Sequence, residues 1–460
     1  MGQYEAFWQA PTETPTVWVG LLFAILSLGA SLYELANKNS AGHGLMPSAH
    51  VLSQKFEQCL VLGKYATAEE HSLEALMIHT QGCFVRANDS DAKPWFLMGI
   101  ITRLAIRLGY HRDPATFPNA TLSPFYGEMR RRVWTSIVQV DALISFQMGL
   151  PSMIPSEYCD TDLPRNLEYS DFGPETTVLP PSRPFSDYTP IMYTIAKNPV
   201  VAMFKTVVGH TQSLLVPPYE RTLALDGQLR TAYNNVPDNL RYKPLEQCVV
   251  DSPGVIMNRA TIEILYLKSV IVLHRRYIKT NRQDARYDFS RNACLEAALH
   301  VLDRQKEMYR ATQPGGQLHG DRWIGSTLAT NDFILAGMIL CLELTLRIRQ
   351  PANKVANNLD VARCIAAVQV SHDIWVAASA FSTEARIAAH ALESTVRRVK
   401  AHAAGAPSSP ASQSSHATGS QLDFSSHLGQ LSVHQQPASE DGMEYIDWVS
   451  LFRGRYWNPL

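Results

Sequence analysis

The apolar residues of this chain recur at the period of an α-helix, and no run of alternating apolar and polar residues predicts a sheet. Ser123 and Pro124 form a favourable helix start, because serine caps a helix and proline suits its first turn. The stripe that follows has spacings of three or four residues, which place side chains on one helical face. Its members are Phe125, Met129, Val133, Ile137, Val140, Ile144 and Met148. The sequence therefore predicts an all-α fold, a large multi-helix domain.

Helical patterns extend along most of the chain. Pro94 suits the first turn of a helix that Gly109 would end. Residues 149–189 interrupt the pattern, because prolines are frequent there and apolar residues follow no helical period, so they predict an extended loop. Further helices are predicted at 190–213, 221–235, 254–280, 289–312, 322–348, 358–377 and 380–401.

One apolar run, from Val17 to Leu32, raises the question of a membrane anchor. It is shorter than the roughly 20 residues that a helix needs to cross a bilayer. Ser27, Gly29 and Ser31 also interrupt it. We therefore predict a helix of the protein core and expect no membrane partner.

Charge and cysteine content exclude two classes of protein. Lys and Arg number 41 against 42 for Asp and Glu, so the net charge is −1, whereas a surface built to grip phosphates needs excess positive charge. The seven cysteines form no Cys-x-x-Cys pair, which argues against the usual structural zinc sites. The chain by itself is predicted to hold no metal and no other cofactor.

The catalytic motifs that occur are incomplete. His111-Arg112-Asp113 and Asp171-Phe172-Gly173 match two protein-kinase tripeptides, but Pro118 stands where the catalytic loop requires asparagine. No His-Glu-x-x-His motif, nucleophile elbow or Walker A loop occurs. We expect no enzyme activity.

The densest basic cluster is Arg130-Arg131-Arg132, within the long amphipathic helix. Successive helical residues point about 100° apart, so these side chains cannot form one flat patch. Glu128 and Arg132 have the i, i+4 spacing of an ion pair. Arg130 and Trp134 have the same spacing, which predicts stacking of the guanidinium on the indole. Contacts between helices are the favoured interpretation, and phosphate binding is the alternative.

Two segments, 101–114 and 122–134, carry a recognisable pattern together with Asp141. Leu-Gly-Tyr-His-Arg-Asp in the first and Glu-Met-Arg-Arg-Arg-Val-Trp in the second resemble the fungal-specific transcription factor domain. This domain is the regulatory region of binuclear zinc-cluster transcription factors. The signature residues are His111, Arg112, Asp113, Glu128, Arg130, Arg131, Arg132, Trp134 and Asp141.

The likeness covers about 1–395. Further matches are Gly149–Pro151, Asp160–Pro164, Leu273–Arg275, Cys294, Ala297, Ala298, Trp323, Asp332–Phe333 and Cys341. Ile446–Trp448 is also similar to family tails. The resemblance implies a transcription regulator in the nucleus that controls RNA polymerase II transcription, senses an effector and contacts coactivators or other regulators. A small-molecule effector is also implied.

The chain departs from the family pattern at its N-terminal end. Family members carry zinc in a six-cysteine cluster, and no cysteines here have that spacing. Tyr4–Trp8 resembles a point already inside the domain, so we expect a truncated N-terminal edge. DNA would be a partner only if a zinc cluster preceded this chain. The alternative is a stand-alone α-helical adaptor or ligand-binding regulator with no DNA contact.

We divide the chain into a regulatory domain at 1–401, a disordered Ala/Ser/Gln-rich linker at 402–439 and an acidic-aromatic tail at 440–460. Acidic residues keep aromatic side chains solvated until a groove on a partner accepts them. The tail is therefore a candidate activation segment, although it could also dock onto its own domain. Its central residues are Tyr445, Ile446, Asp447, Trp448 and Phe452.

Overall fold

The structure is a computed structural model that describes residues 2–36, 47–65, 70–86, 92–116, 122–320, 330–349, 361–380 and 383–403. These residues contain thirteen α-helices and no β-strand, which confirms the all-α prediction. The predicted tail, and the predicted linker except for its first two residues, lie outside the described residues. Trp323 lies outside them as well.

The first half of the chain forms six helices: α1 (Gly2–Gln9), α2 (Thr16–Ala36), α3 (Ala49–Leu62), α4 (Ser72–Arg86), α5 (Lys93–Arg107) and α6 (Pro124–Gln147). Ser123 caps α6 as predicted, because its side chain accepts a hydrogen bond from the amide of Tyr126. Gly109 has φ +77°, a left-handed conformation that suits glycine, and it follows the last turn of α5.

The second half forms seven helices: α7 (Met192–Thr211), α8 (Tyr219–Asn234), α9 (Pro253–His274), α10 (Asp288–Thr312), α11 (Thr330–Arg349), α12 (Val361–Ala378) and α13 (Thr383–Ala403). Residues 149–191 join the halves in an extended path whose one helical element is a short 3-10 turn, Ser156–Tyr158. The predicted loop at 149–189 is thus confirmed.

Two hydrophobic cores lie on either side of α6. The first is built by α2 to α6 around fully buried side chains such as Phe56 and Ile101. The second is built by α7 to α13 around side chains such as Phe204. Helix α6 contributes Trp134 to the first core and Phe146 to the second. This helix therefore joins the two cores.

Helix α2 packs against α3 and α4 through a polar seam. The hydroxyl of Ser27 donates to the carbonyl of Ala49 at 2.9 Å, and Arg86 donates to Ser27 and Ser31 at 3.0 and 2.8 Å. The helix is longer than the apolar run predicts. Among the described residues, Thr16–Leu35 is the one helix that is long and apolar enough to cross a membrane, judged by length and composition alone.

Candidate functional site

The signature segments meet where α5 ends and α6 begins. Asp113, whose residue surface is 2% exposed, accepts hydrogen bonds from Arg131 at 2.7 and 2.8 Å. The backbone amides of Ala115 and Asp162 donate to the same carboxylate at 2.9 and 3.0 Å. Burial acts to raise the pKa of Asp113, but these donors outweigh it and lower the pKa to about 2. The carboxylate is therefore held ionised at a junction of three segments.

The neighbouring Asp160 fastens the extended segment to the turn after α5. Its carboxylate accepts from Arg112 at 3.0 Å and from the amide of Asp113 at 2.8 Å. Its own amide donates to the carbonyl of His111 at 3.1 Å. The sequence assigned Asp160 only to a loop that resembles a loop of the family. In the structure, hydrogen bonds connect this loop to the signature residues.

Glu128 and Arg132 form the ion pair that their spacing predicts. The two side chains meet at 3.0 Å, and Glu128 is fully buried. Glu128 also accepts from the amide of Arg165 at 3.1 Å, while Arg132 donates to the carbonyl of Leu167 at 3.1 Å and lies 4.8 Å from the ring centre of Phe172. The pair thus binds the extended segment along α6.

Arg130 does not stack on Trp134, and this prediction was wrong. Its guanidinium lies 4.7 Å from the ring centre of Tyr110 and donates to the carbonyl of Leu108 at 2.8 Å. The last carbonyls of a helix lack partners within the helix, so the end of α5 offers this acceptor. Trp134 instead lies buried in the first core, with its ring centre 6.3 Å from that of His111.

Asp141 holds the start of the extended segment two turns further along α6. The hydroxyl of Ser152 and the amide of Met153 donate to its carboxylate at 2.6 and 3.0 Å. Burial raises the pKa of Asp141 despite these donors. On the same helix, Gln139 donates to the carbonyl of Thr194 at 2.8 Å and so reaches α7.

Sequence reasoning missed one residue that organises the extended segment. Asn166 is fully buried, and its amide group donates to the carbonyl of Asp187 at 3.1 Å while its oxygen accepts from Thr189 at 2.6 Å. Asn166 thereby closes a loop of this segment upon itself. No local pattern marks it, because its partners lie about twenty residues away in the chain.

The structure favours contacts between segments over phosphate binding for the arginine cluster. The three arginines donate to four acceptors, which are Leu108 and Asp113 after α5, Glu128 in α6 and Leu167 in the extended segment. The side chains of Arg131 and Arg132 are 13% and 7% exposed. The signature residues therefore fix the extended segment against α6.

A Ser-His-Asp arrangement occurs in the second half of the chain. His274 lies 2.8 Å from the hydroxyl of Ser290 and 3.2 Å from the carboxylate of Asp226. All three residues are buried, and the Ser290 hydroxyl also lies 3.0 Å from that of Tyr219. No substrate can reach this serine, so the arrangement ties α8, α9 and α10 together instead of performing nucleophilic catalysis.

Two buried ion pairs connect α11 to earlier elements. Lys268 meets Asp332 at 3.0 Å, and Arg282 meets Glu343 at 2.7 and 2.9 Å. Asp332 is one of the further family matches, and this match corresponds to a contact inside the second core.

The residues of this chain do not fit a six-cysteine zinc cluster. All seven cysteines are free thiols; six are buried, and five of these lie on five different helices. Within the described ranges, no group of three or more His, Cys, Asp or Glu side chains could hold a metal ion. The predicted activation residues, Tyr445 to Phe452, lie outside those ranges.

Comparison with known proteins identifies similar chains. The fungal specific transcription factor domain matches residues 3–189. The Zn(2)-C6 fungal-type transcription factor pigI of Monascus ruber is 40% identical over 391 residues, which are 84% of this chain and 48% of pigI. The transcription factor cghF of Chaetomium globosum is 31% identical over 395 residues, 85% of this chain and 69% of cghF.

A third relative is the fusarisetin A cluster transcription factor fsa6 of a Fusarium species, 36% identical over 412 residues, 86% of this chain and 53% of its own. The chain thus spans about half the length of pigI and fsa6. These relatives are named as transcription factors, not as enzymes. No solved structure matches the chain.

Proposed function

This chain belongs to the fungal-specific transcription factors, and from that membership we propose that it acts as the regulatory domain of a nuclear regulator of RNA polymerase II transcription. The observation that carries the proposal is the likeness to cghF, which includes 85% of this chain and 69% of that transcription factor. The ion pairs and hydrogen bonds among the signature residues support the proposal, because their charged groups stabilise the fold of the domain.

The domain would act as a rigid support for a partner-binding tail. In residues 440–460, four acidic side chains alternate with aromatic and aliphatic ones. Such a sequence suits a hydrophobic groove on a coactivator, where the apolar face of a short helix is buried. We propose that Tyr445, Ile446, Trp448 and Phe452 make this contact and that Asp447 keeps the free tail solvated.

DNA contact is proposed only for a longer form of the protein that includes a zinc cluster. Zinc would belong to that cluster, since the cysteines of this chain do not fit one. Because fsa6 is named for the fusarisetin A cluster, we also propose that the target genes form a biosynthetic cluster. We assign no membrane partner, since Ser27 in the middle of α2 is hydrogen-bonded to Ala49 and Arg86 of the neighbouring helices.

A reporter assay tests the activation role. The full chain, fused to an unrelated DNA-binding domain, should activate a reporter whose promoter carries the matching site. Replacing Trp448 and Phe452 by alanine should remove most of this activation. Trp457→Ala is the matched control, because it removes an aromatic side chain beyond the acidic stretch. Unchanged activation in the double variant would remove the activation role.

A stand-alone α-helical adaptor or ligand-binding regulator is the second candidate. Such a protein would act on other regulators without contacting DNA. Chromatin immunoprecipitation of the native protein separates the two candidates. Enrichment at promoters that persists when other regulators are removed supports the DNA-binding form, and loss of enrichment supports the adaptor.

A further inference from the structure

A small cavity lies in the second half of the chain, beside the N-terminal half of α9 and the C-terminal half of α10. Its volume of about 20 Å³ is enough for one water molecule. Apolar side chains line much of it, including Ile256, Met257, Met308 and Leu318. Methionine side chains are flexible and adapt to irregular contents, so two walls of the cavity can move.

The charged side chains that line the cavity are mostly cationic. Lys243, Arg259 and Arg304 carry positive charge, and Glu307 is the one anionic lining residue that the structure describes there. Arg259 is already neutralised by an ion pair with Asp251. Arg304 is likewise paired with Glu307 at 2.8 Å, so the uncompensated charge at the cavity is that of the exposed Lys243, which favours an anion.

Arg304 retains an unused hydrogen-bond donor. The residue is 9% exposed, and its guanidinium carbon lies 3.6 Å from the ring centre of Tyr242. One terminal nitrogen donates to Glu307 at 2.8 Å, whereas Nε is buried and has no partner. Buried donors in native proteins are almost always paired, so an acceptor is expected at this position.

An exposed apolar turn adjoins the cavity. Val249 and Val250 are 78% and 96% exposed and follow Cys248, a lining residue. The carbonyl of Cys248 accepts from the side-chain amide of Gln317 at 2.6 Å, which fixes the base of the turn. Exposing two neighbouring valine side chains to water costs free energy. Closure of this turn over an apolar ligand would remove both side chains from water.

We propose that this cavity is a binding site for a small organic acid with an apolar body. The carboxylate accepts a hydrogen bond from Arg304 Nε, the apolar body displaces the side chains of Met257 and Met308, and Val249 and Val250 close over it. This inference rests on the proposed function, because it supplies the chemical class of the effector that such a regulatory domain would sense.

Calorimetric titration of the full chain with sodium octanoate tests the site, with octanamide as the uncharged comparison. We expect one octanoate per chain, bound about tenfold more tightly than octanamide because charge-assisted hydrogen bonds are the stronger ones. Arg304→Met should abolish this difference. Arg310→Met, on the exposed surface of the same helix, should preserve it.

Two further variants keep the test decisive if Arg304→Met fails to fold. Replacing both Val249 and Val250 by serine alters only an exposed turn and should weaken octanoate binding. Ala260→Leu adds bulk to the cavity wall and should weaken the binding of both probes. Absence of saturable binding, or equal binding by the Arg304→Met variant, would overturn the site and leave a cavity for water alone. If the chain activates the reporter but binds no octanoate, the proposed binding site is refuted and the proposed function is unaffected.

Discussion

The carboxylate of Asp113 and the guanidinium of Arg131 face each other through two hydrogen bonds, of 2.7 and 2.8 Å, between the turn after α5 and the body of α6. The amide of Asp162 donates to the same carboxylate. One acidic side chain therefore connects a turn, a helix and the extended segment. The stability of all three is expected to depend on it.

Asp113→Asn should lower the free energy of unfolding by about 3 kcal/mol, because removing one partner of a buried ion pair leaves the other charge uncompensated. Urea unfolding followed by circular dichroism measures the change. Asp238→Asn is the matched control, since the side chain of Asp238 is 91% exposed and its ion pair with Arg241 lies at the surface. Equal losses in the two variants would contradict the assignment of Asp113 as a junction residue.

Acidification should destabilise the first core through His79. Burial, together with the nearby Lys93 ammonium, lowers the pKa of His79 from 6.5 to about 4. Between these pH values the unfolded chain binds a proton that the native protein does not, so stability falls as the pH falls. The expected contribution is roughly 2 to 3 kcal/mol.

Unfolding measured at pH 7 and pH 4.5 checks this prediction. His79→Gln should show a smaller difference between the two pH values than the unmodified chain. His50→Gln, at an exposed position on α3, should leave the difference unchanged. If His79→Gln responds to pH as the unmodified chain does, other groups cause the acid sensitivity.

Lys268→Met should destabilise the second core by about 3 to 5 kcal/mol, because it leaves the buried Asp332 without its partner. Burial already raises the pKa of Asp332 despite the lysine. Adding Asp332→Leu should recover part of the loss, since two apolar side chains of similar volume can replace a buried pair. A double-mutant cycle by urea unfolding measures the coupling, and additive losses would argue against a direct interaction.

Arg132→Met should release the extended segment from α6. The variant loses the hydrogen bond to the Leu167 carbonyl and the ion pair with Glu128. Cleavage within 149–191 by a protease should then accelerate by about tenfold, the factor that corresponds to 1.4 kcal/mol of easier local opening. Arg363→Met, on the surface of α12, provides the control. The positions of the cuts are read by mass spectrometry.

Features set by neighbours in sequence were predictable. Helix α6, its Ser123 cap and the pair Glu128–Arg132 depend on spacings of three or four residues, and all are found. Helix α3 was not predicted, although Leu52, Phe56 and Leu60 repeat every four residues and lie buried. That signal was available in the sequence.

Features set by distant segments were not predictable. Arg130 and Trp134 have a favourable spacing for stacking. However, the end of α5 brings the Tyr110 ring and the Leu108 carbonyl within reach of Arg130 instead. The partners of Asn166 depend on how the extended segment folds back. Helix α1 buries no residue, so no core face marks it in the sequence.

Helix α6 packs directly against helices that follow it in the chain. Its Phe146 packs edge-to-face on Phe204 of α7 at 5.0 Å and lies 5.7 Å from the Lys268 ammonium of α9. The family match ends at residue 189, before both partners. A fragment that ends at residue 189 would expose the aromatic ring of Phe146 to solvent. Such a fragment is expected to aggregate. The family model ends at a point where the packing of the described residues shows no domain boundary, so the two halves of the chain are expected to fold together.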